Sequence, residues 1–580
     1  MTSTPTASST TLWRAQVAIV LERLWLLLAN PWLQRAILAA VIVWAFWDAI
    51  WAGVPRNDQV IYLHHISQFD NLWDILSHSP SLNRILPDFG TDAILYRPIL
   101  YLLLGSFYYL FGYNFVAWQI AGLCLHILVA LGLHLLLLQG RLKHTLFPLV
   151  ITLLFATAYL ASELVLWNHI VGYVLFCALD VYAVYFFLRY LQSDRSAFLV
   201  ICGTLGLIAE FTYEMGAVVN LLFAAALFAR TFSAPAANSP LIQGHRRTDR
   251  RSALVFLLAA LLLPLVSLAD LYARGFEIAP HLRGAELGQV IKVGGEAVFR
   301  QIGFWMGAWL APTVYRVFPA SRAIAVVSGA GLTGLTLLNL VALALLLAAG
   351  VGALRHLRDG RVSKREPEFA LALCTLFLLG YSMIIAIGRT AGRGLSHLST
   401  SIYYCYVANL TVCVAIALAA VVGRTRAAVL AIDGRPDPHP ASSGADPLRT
   451  ALPSWVGAGL FVALTVLAFT NALGVRAIAR QFRYIYAAPQ QEVVDHMLAW
   501  RKQVGDRTHR YFVVSPTCRG NETLVWFIEE LLRRNSGWQP PVTLADALWP
   551  EWSANLNAAR IHIPSESVDE IRCDESTVGH

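Results

Sequence analysis

The sequence predicts an all-α polytopic membrane protein that carries a small α/β appendage at its C-terminal end. Of its 580 residues, 57% are apolar and only 14% are charged, and the mean hydropathy is +0.57. A soluble globular protein has about 25% charged residues, so much of this surface must face lipid. The net charge of +8 is distributed in short clusters between apolar runs. This distribution indicates membrane orientation and excludes a nucleic-acid-binding surface.

The apolar runs approach the length of about 20 residues that a helix needs to cross a bilayer. They lie at 35–53, 115–138, 145–162, 171–190, 197–213, 215–230, 252–272, 323–353, 368–388, 401–422 and 453–475. These runs predict about eleven crossings within a transmembrane domain over 35–475. Before them, Arg14, Glu22 and Arg23 interrupt an apolar stretch, so residues 1–34 are predicted to form a cytoplasmic interfacial segment.

Basic clusters between the runs predict the orientation, because Lys and Arg collect in cytoplasmic loops. Four clusters are expected to be cytoplasmic: "RLKH" at 141–144, "RYLQSDR" at 189–195, "HRRTDRR" at 245–251 and "RHLRDGRVSKR" at 355–365. The loops between them would then be exterior, at 54–95, 163–170, 273–322 and 389–400. The N-terminus is predicted to lie inside and residues 476–580 outside.

The run "YRPILYLLLGSFYYLFG" at 96–112 does not fit a simple count of crossings. If 54–95 is outside and "RLKH" is inside, only one crossing lies between them. The run is about 16 residues, or roughly 24 Å as a helix, which is shorter than the ~30 Å hydrocarbon core. We therefore expect a helix embedded in the outer leaflet, followed by a crossing at 115–138. The alternative, in which both runs cross, would put "RLKH" outside.

The last residues, 476–580, are expected to form the exterior appendage. "RYFVVSPTC" is typical of a strand and turn, "NETLVWFIEELLRRN" of an amphipathic helix, and "ARIHIP" of a second short strand. Cys518 and Cys573 lie in this appendage, while the other six cysteines fall in or beside apolar runs. Because an exterior compartment is oxidising, we predict a disulfide between Cys518 and Cys573.

Two charged residues at predicted membrane boundaries are candidates for chemistry. Asp58 follows the first apolar run, in "WAGVPRNDQVIYLHH", and Arg97 begins the apolar helix in "YRPILYLLL". Taken alone, Asp58 could cap a helix or lie in a solvated loop, and Arg97 could extend to lipid phosphates. The other acids of the loop, Asp70, Asp74, Asp88 and Asp92, are weaker candidates.

The order of motifs along the chain favours the functional interpretation. Asp58 is followed by "YRP", "LFGYN", "AWQIAGLCLHILVALGLHLLL", "ASELVLWNHIVGYVLF", "LGLIAEFTYEMGAVVN" and, later, "IGRTAGRGLSHLSTSIYYCY". This series resembles the GT-C superfamily of membrane glycosyltransferases. It is similar above all to bacterial transferases related to the transmembrane-and-tetratricopeptide O-mannosyltransferases. More distantly, it resembles the aminoarabinose transferases and the protein O-mannosyltransferases. The resemblance covers about the first 230 residues and returns at 387–406.

The resemblance implies a GT-C-like fold and transfer of a sugar from a polyprenyl-phosphate carrier to an acceptor on the exterior face. Asp58 matches the family's general base, and Arg97, Arg389 and Arg393 match positions that bind the donor phosphate. Fixed positive charge suits the site because negative charge develops on the leaving lipid phosphate. Supporting positions are implied at Tyr96, Glu163, His169, Glu214, His397, Tyr403 and Tyr404.

The chain departs from the family at several motif positions. Asn57 precedes Asp58 where many relatives have a second acid, Val171 and Tyr173 replace a charged pair, and Ile402 stands where Arg is expected. No spacing in the sequence requires a metal; a divalent ion shared by Glu163, His169 and a loop acid would be without support. No cofactor is expected.

The expected function is therefore an inverting glycosyltransferase of the bacterial inner (plasma) membrane, with its active site on the exterior face. Its partners would be a polyprenyl-phosphate-linked sugar, membrane lipids, and a lipid, glycan or protein acceptor, with no nucleic acid. Two alternatives stay open at this point. One is a transporter or flippase for a lipid-linked glycan, although no internal symmetry of the transporter kind is present. The other is an inactive envelope scaffold, which the departures would explain.

Overall fold

A computed structural model describes residues 16, 20, 23, 27–52, 62, 66, 69–82, 97–112, 114–139, 145–166, 170–233, 240–273, 380, 406–407, 409–411, 413–414, 454–487, 511–514 and 568–571. Apart from two short strands, the elements of this part are helices. The chain is thus an all-α polytopic membrane protein, as predicted. Some of the runs predicted to cross the membrane lie outside the described residues, so the total of about eleven crossings stays a prediction.

The helices of the described part follow the predicted apolar runs. They are α1 (Pro31–Ala45), α2 (Trp47–Ile50), α3 (Leu72–Leu82), α4 (Pro98–Phe111), α5 (Phe115–Leu137), α6 (Phe147–Ala156), α7 (Tyr159–Leu166), α8 (Val171–Ser193), α9 (Ser196–Thr212), α10 (Gly216–Ser233), α11 (Pro240–Ala273) and α12 (Ser454–Gln481). A π-helical turn, Phe482–Ala487, extends α12.

Three helical segments within the described residues are long and apolar enough to cross a membrane by themselves. They are Phe115–Leu137, Val171–Ser193 and Phe461–Tyr484. Several shorter apolar helices pack beside them, among them α1, α4, α6 and α9. Phe46, Trp118, Phe155 and Phe176 are fully buried between these helices. The chain is an integral membrane protein.

One end of the bundle, which we call the Gln34 end, is fastened by polar side chains. Gln34 Nε2 donates to the carbonyls of Leu28 and Thr145, so its Oε1 accepts from His134 Nε2 at 2.8 Å. Gln192 donates to Gln139 at 3.2 Å. The start of α1 therefore lies beside the ends of α5 and α8. The same end is predicted to be cytoplasmic.

An ion-pair cluster joins α8, α10 and α11 where their basic segments lie. Arg230 pairs with Asp194, just after α8, and with Asp249 of α11, and Tyr190 donates to Asp249. Asp249 belongs to the "HRRTDRR" cluster, which lies on α11 because that helix begins at Pro240. The cluster lets the carboxylate of Asp249 be buried and the guanidinium of Arg230 be mostly buried without an unmatched charge.

Helix α4 begins and ends at the opposite end, which we call the Arg97 end. Arg97, which precedes α4, contacts Glu214 in the turn between α9 and α10. Gly112, which follows α4, accepts a hydrogen bond from Trp118 in the first turn of α5 at 3.0 Å. The 14 residues of α4 span about 21 Å. The predicted short helix is observed as α4, and α5 is long and apolar enough to cross a membrane. Which of the two helices crosses stays a prediction.

The third predicted run is divided into α6 and α7. Thr157 stands at the break, and its hydroxyl donates to the carbonyls of Leu153 at 2.7 Å and Ala468 at 3.5 Å. Residues 163–166, predicted to open an exterior loop, belong to α7. The physical reason is burial, since Leu164, Val165 and Leu166 are packed in the core.

Helix α12 packs against α1 and α6 and continues past the predicted domain boundary at 475/476. Its last residue is Gln481, and Arg483 in the following π-helical turn donates to Asp48 of α2 at 3.2 Å. The end of α12 therefore lies beside the exit of the first helix, at the Arg97 end. In the appendage, the first predicted strand is observed as β1 (Tyr511–Val514).

Strand β1 pairs in parallel with β2 (Val568–Ile571), in the register Tyr511 to Val568 and Val514 to Ile571. The sequence analysis did not predict β2. The expected strand "ARIHIP" and the expected amphipathic helix lie outside the described residues, as do Cys518 and Cys573.

Candidate functional site

The structure brings together two residues that the sequence analysis singled out separately. Arg97 Nε donates to Glu214 Oε2 at 2.9 Å, and Arg97 Nη2 donates to Glu214 Oε1 at 2.7 Å. This is the bidentate geometry in which a planar guanidinium meets both oxygens of a carboxylate. The two residues are 117 positions apart in the sequence. They join the "YRP" and "TYEMG" motifs at the Arg97 end.

Tyrosine rings surround the pair. The Arg97 guanidinium carbon lies 4.1 Å from the centre of the Tyr213 ring, a cation–π distance. Tyr213 in turn packs on Tyr173 of α8, with ring centres 4.0 Å apart. Tyr101, one turn into α4, contacts Tyr62 at 6.2 Å between ring centres. Four tyrosines from different segments thus form an aromatic cluster that carries hydroxyl groups and lies beside Arg97.

Proline and glycine residues explain why the motif segments can meet here. Pro98 occupies the first turn of α4, where its missing N–H has no helical partner to lose. A Cβ on Gly172 would lie 2.4 Å from Leu100 and 3.0 Å from Tyr213, and a Cβ on Gly216 would lie 2.4 Å from the backbone of Glu210. Both glycines therefore permit close helix approaches that any other residue would prevent.

The two charges differ in their access to solvent. The Arg97 side chain is 6% exposed and that of Glu214 is 35% exposed. Glu214 accepts from two of the five N–H donors of the guanidinium. The arrangement holds an always-charged arginine in a buried position by pairing it with a carboxylate that keeps contact with solvent.

A buried carboxylate near the pair was missed by the sequence analysis. Glu210 of α9 is fully buried, and it accepts from Asn220 Nδ2 of α10 at 2.8 Å and from the backbone N–H of Leu263 of α11 at 3.2 Å. A Cβ on Gly206 would lie 2.3 Å from the Asn220 side chain. Glu210 therefore ties three helices together. The signal that could have found it is a carboxylate within an apolar run, since such residues are rare near hydrocarbon.

A histidine anchors the late motif. Tyr406, the last residue of "SIYYCY", is fully buried and donates its hydroxyl to Nδ1 of His126 at 2.8 Å. His126 Nε2 donates to the Ala156 carbonyl at 3.0 Å, which fixes the neutral tautomer with the proton on Nε2. The segment after the predicted residues Tyr403 and Tyr404 is thus attached to α5 and α6.

Most of the other predicted site residues lie outside the described part of the chain. They are Asp58, Tyr96, His169, Arg389, Arg393, His397, Tyr403 and Tyr404. Glu163 belongs to α7, but its side chain is outside the described residues. The structure therefore brings together Arg97 and Glu214, and the remaining roles stay predictions. Within the described residues no group of three or more His, Cys, Asp and Glu side chains could hold a metal ion.

Comparisons with known proteins give one similarity. No protein-family description matches the chain, and no curated protein matches it. Among solved structures, the chain is similar to the archaeal oligosaccharyltransferase AglB from Archaeoglobus fulgidus, in complex with an inhibitory peptide and a dolichol-phosphate. The identity is 15%, the TM-score is 0.37, and the match covers 85% of this chain. The chain spans 64% of the length of that protein.

Proposed function

We propose that the chain is an integral-membrane glycosyltransferase of the GT-C type. It transfers a sugar from a polyprenyl-phosphate-linked donor to an acceptor at the exterior face, with inversion of the anomeric centre. The observation that carries the proposal is the contact between Arg97 of "YRP" and Glu214 of "TYEMG". Two motifs that are far apart in the sequence meet at one membrane boundary, as a shared site requires.

The proposed roles follow from the charge that each step develops. Asp58 removes the proton from the acceptor hydroxyl, and the hydroxyl oxygen then attacks the anomeric carbon from the face opposite the phosphate. The bond between that carbon and the phosphate oxygen breaks, and the negative charge passes to the lipid phosphate. Arg97, Arg389 and Arg393 stabilise this charge with always-ionised donors. Glu214 orients Arg97 by occupying one edge of its guanidinium.

The test is transfer by purified protein in lipid nanodiscs, with radiolabelled polyprenyl-phosphate sugars as donors and cell-envelope fractions as acceptors. The variant Asp58→Asn keeps the shape of the side chain but removes the base. We expect the transfer rate to fall about 10²–10⁴-fold while donor binding is retained, because the arginines remain. Asp70→Asn is the matched control, since Asp70 is an exposed acid of the same segment. Its rate should stay within about twofold of the unmodified rate.

Two outcomes would overturn the proposal. Full transfer by Asp58→Asn would remove the general base and leave that residue a solvated loop acid. If instead the labelled lipid crosses a vesicle bilayer and no sugar reaches any acceptor, the chain is a transporter.

A further inference from the structure

An apolar groove runs along the membrane-facing side of α1, α6 and α12. The part beside α6, of about 400 Å³, is lined by Ala40, Val150, Ala468 and Phe469. The part towards the Arg97 end, of about 540 Å³, is lined by Ala39, Trp47 and Arg476. Ala40 and Trp44 line both parts, so the groove is continuous. It is open to the bilayer side, and Phe469 remains 62% exposed.

Positive charge lies where this groove approaches the Arg97 end. Arg476, Arg480 and Arg483 follow the spacing of one helical face on α12 and its π-helical extension. Arg483 pairs with Asp48 at 3.2 Å. Neither Arg476 nor Arg480 has a carboxylate partner among the described residues, whereas Arg97 and Arg230 have one. In the part of the chain that the structure describes, two positive charges thus lack a carboxylate partner: Arg476 lines the groove, and Arg480 lies one helical turn beyond it.

Aromatic rings beside Arg476 and Arg480 indicate that this end of the groove lies at the membrane interface. The Arg476 guanidinium carbon lies 4.7 Å from the centre of the Trp44 ring, and Arg480 lies 5.9 Å from Tyr484. Trp44 and Trp47 are exposed at 38% and 47%. Trp and Tyr collect at the headgroup level of bilayers. Basic residues normally collect on the cytoplasmic side, but the predicted orientation puts this end outside, so orientation does not explain the two arginines.

We propose that this groove binds one anionic phospholipid of the surrounding bilayer. The phosphate is held by Arg476 and Arg480, and an acyl chain lies along Ala40, Ala468 and Phe469. Charge complementarity selects this occupant, because an anionic phospholipid brings net negative charge to the two arginines. The ammonium group of a zwitterionic lipid cancels the charge of its own phosphate, and a second apolar helix brings no negative charge. The lateral opening of the groove lets the lipid enter from the membrane without crossing solvent. The site is distinct from the Arg97–Glu214 pair and independent of the proposed transfer reaction.

Native mass spectrometry of the full chain tests the charge of the ligand. The protein is released from nanodiscs of phosphatidylglycerol and phosphatidylcholine with identical acyl chains. We expect one phosphatidylglycerol to be retained in preference to phosphatidylcholine. Arg476→Gln and Arg480→Gln should each weaken this retention roughly fivefold, since one basic residue near a surface contributes on that order. Arg189→Gln is the matched control, because Arg189 is exposed near Phe198 at the Gln34 end; its retention should not change.

The apolar groove is tested by filling it. Ala40→Phe should reduce phosphatidylglycerol retention several-fold, whereas Ala36→Phe, one turn away and outside the lining, should not. Equal retention of both lipids, or unchanged retention in the arginine variants, would overturn the proposal. So would stronger retention of polyprenyl phosphate than of phosphatidylglycerol, which would assign the groove to the carrier. A dimer mass that Ala40→Phe abolishes would assign it to a second copy of the chain.

Discussion

The positive charge of Arg97 is compensated by Glu214 of the same chain and does not need a ligand to match it. Burying a guanidinium costs several kcal/mol unless a partner compensates for the lost hydration. Glu214 supplies that partner with two hydrogen bonds, and the Tyr213 ring covers one face of the guanidinium. The more exposed carboxylate keeps contact with solvent, so the cost of burial falls mainly on Arg97. The site is therefore held in place by a pair whose two members respond differently to substitution.

We predict that Glu214→Ala destabilises the protein more than Arg97→Ala does. The first variant leaves a guanidinium that is 6% exposed without its partner, whereas the second leaves a carboxylate that is 35% exposed and can reach water. Breaking a buried pair typically costs about 3–5 kcal/mol, and the partial exposure of Glu214 places the Arg97→Ala cost below that range. Thermal unfolding in detergent, followed by tryptophan fluorescence, measures both.

The double variant Arg97→Ala with Glu214→Ala supplies the control for this comparison. Because it removes both charges, its loss of stability should be smaller than the sum of the two single losses. A larger loss for Arg97→Ala than for Glu214→Ala would contradict the assignment of the burial cost to the arginine.

The parallel strand pair gives a second reason to expect a disulfide in the appendage. Because β1 and β2 run in parallel, the chain leaves both strands at the same end of the sheet, after Val514 and Ile571. Cys518 follows Val514 by four positions and Cys573 follows Ile571 by two. Neighbouring strands lie about 4.8 Å apart, and a disulfide joins Cα atoms about 4.4–6.8 Å apart. The strand pair therefore adds a topological reason to the compartment argument for pairing these cysteines.

We predict that Cys518 and Cys573 are linked by a disulfide in protein purified without reductant. Peptide mapping under non-reducing conditions should yield one cross-linked peptide that contains both residues. Reduction should lower the stability of the appendage by about 2–4 kcal/mol, because the bond constrains the unfolded chain. Cys177, a buried free cysteine of α8, serves as the internal control and should stay unlabelled in both states. Labelling of Cys518 and Cys573 before reduction would rule the bond out.

The whole molecule has two chemically different ends. The Gln34 end carries the Arg230 cluster and its basic segments, and the Arg97 end carries the arginine–glutamate pair and the tyrosines. Helices α5, α8 and α9 run from one end to the other, whereas both termini of α4 lie at the Arg97 end. The contacts therefore fix which helix termini share an end, while the end that faces the cytoplasm is a prediction from the basic clusters.

We predict that the Gln34 end is cytoplasmic. In a cysteine-free background, a cysteine at Lys143 should not react with a membrane-impermeant thiol reagent applied to intact cells. A cysteine at Asp70, which is exposed at the Arg97 end, should react. Both should react after permeabilisation, which controls for accessibility. Labelling at position 143 in intact cells would reverse the orientation and move the proposed site to the cytoplasmic face.

Local sequence could identify the helices because their signals are local. Hydropathy and length located α1, α5 and α8, the 96–112 run predicted the short helix α4, and the "RYFVV" pattern predicted β1. The limits of prediction came from contacts between distant segments. Strand β2 could not be recognised from "VDEI", since its partner lies 57 positions earlier in the register. The continuation of α7 through Leu166 depended on burial against neighbouring helices.

The sequence by itself determined that this is a helical membrane protein, which boundaries carry charge, and which motifs resemble a glycosyltransferase. It marked Arg97 and Glu214 as separate residues, and it left Glu210 and His126 without roles. Only the tertiary structure decided that Arg97 and Glu214 are partners, that Glu210 joins three helices, and that His126 holds Tyr406. The physical reason is that hydropathy is a property of each segment, whereas matching a buried charge depends on which segments pack together.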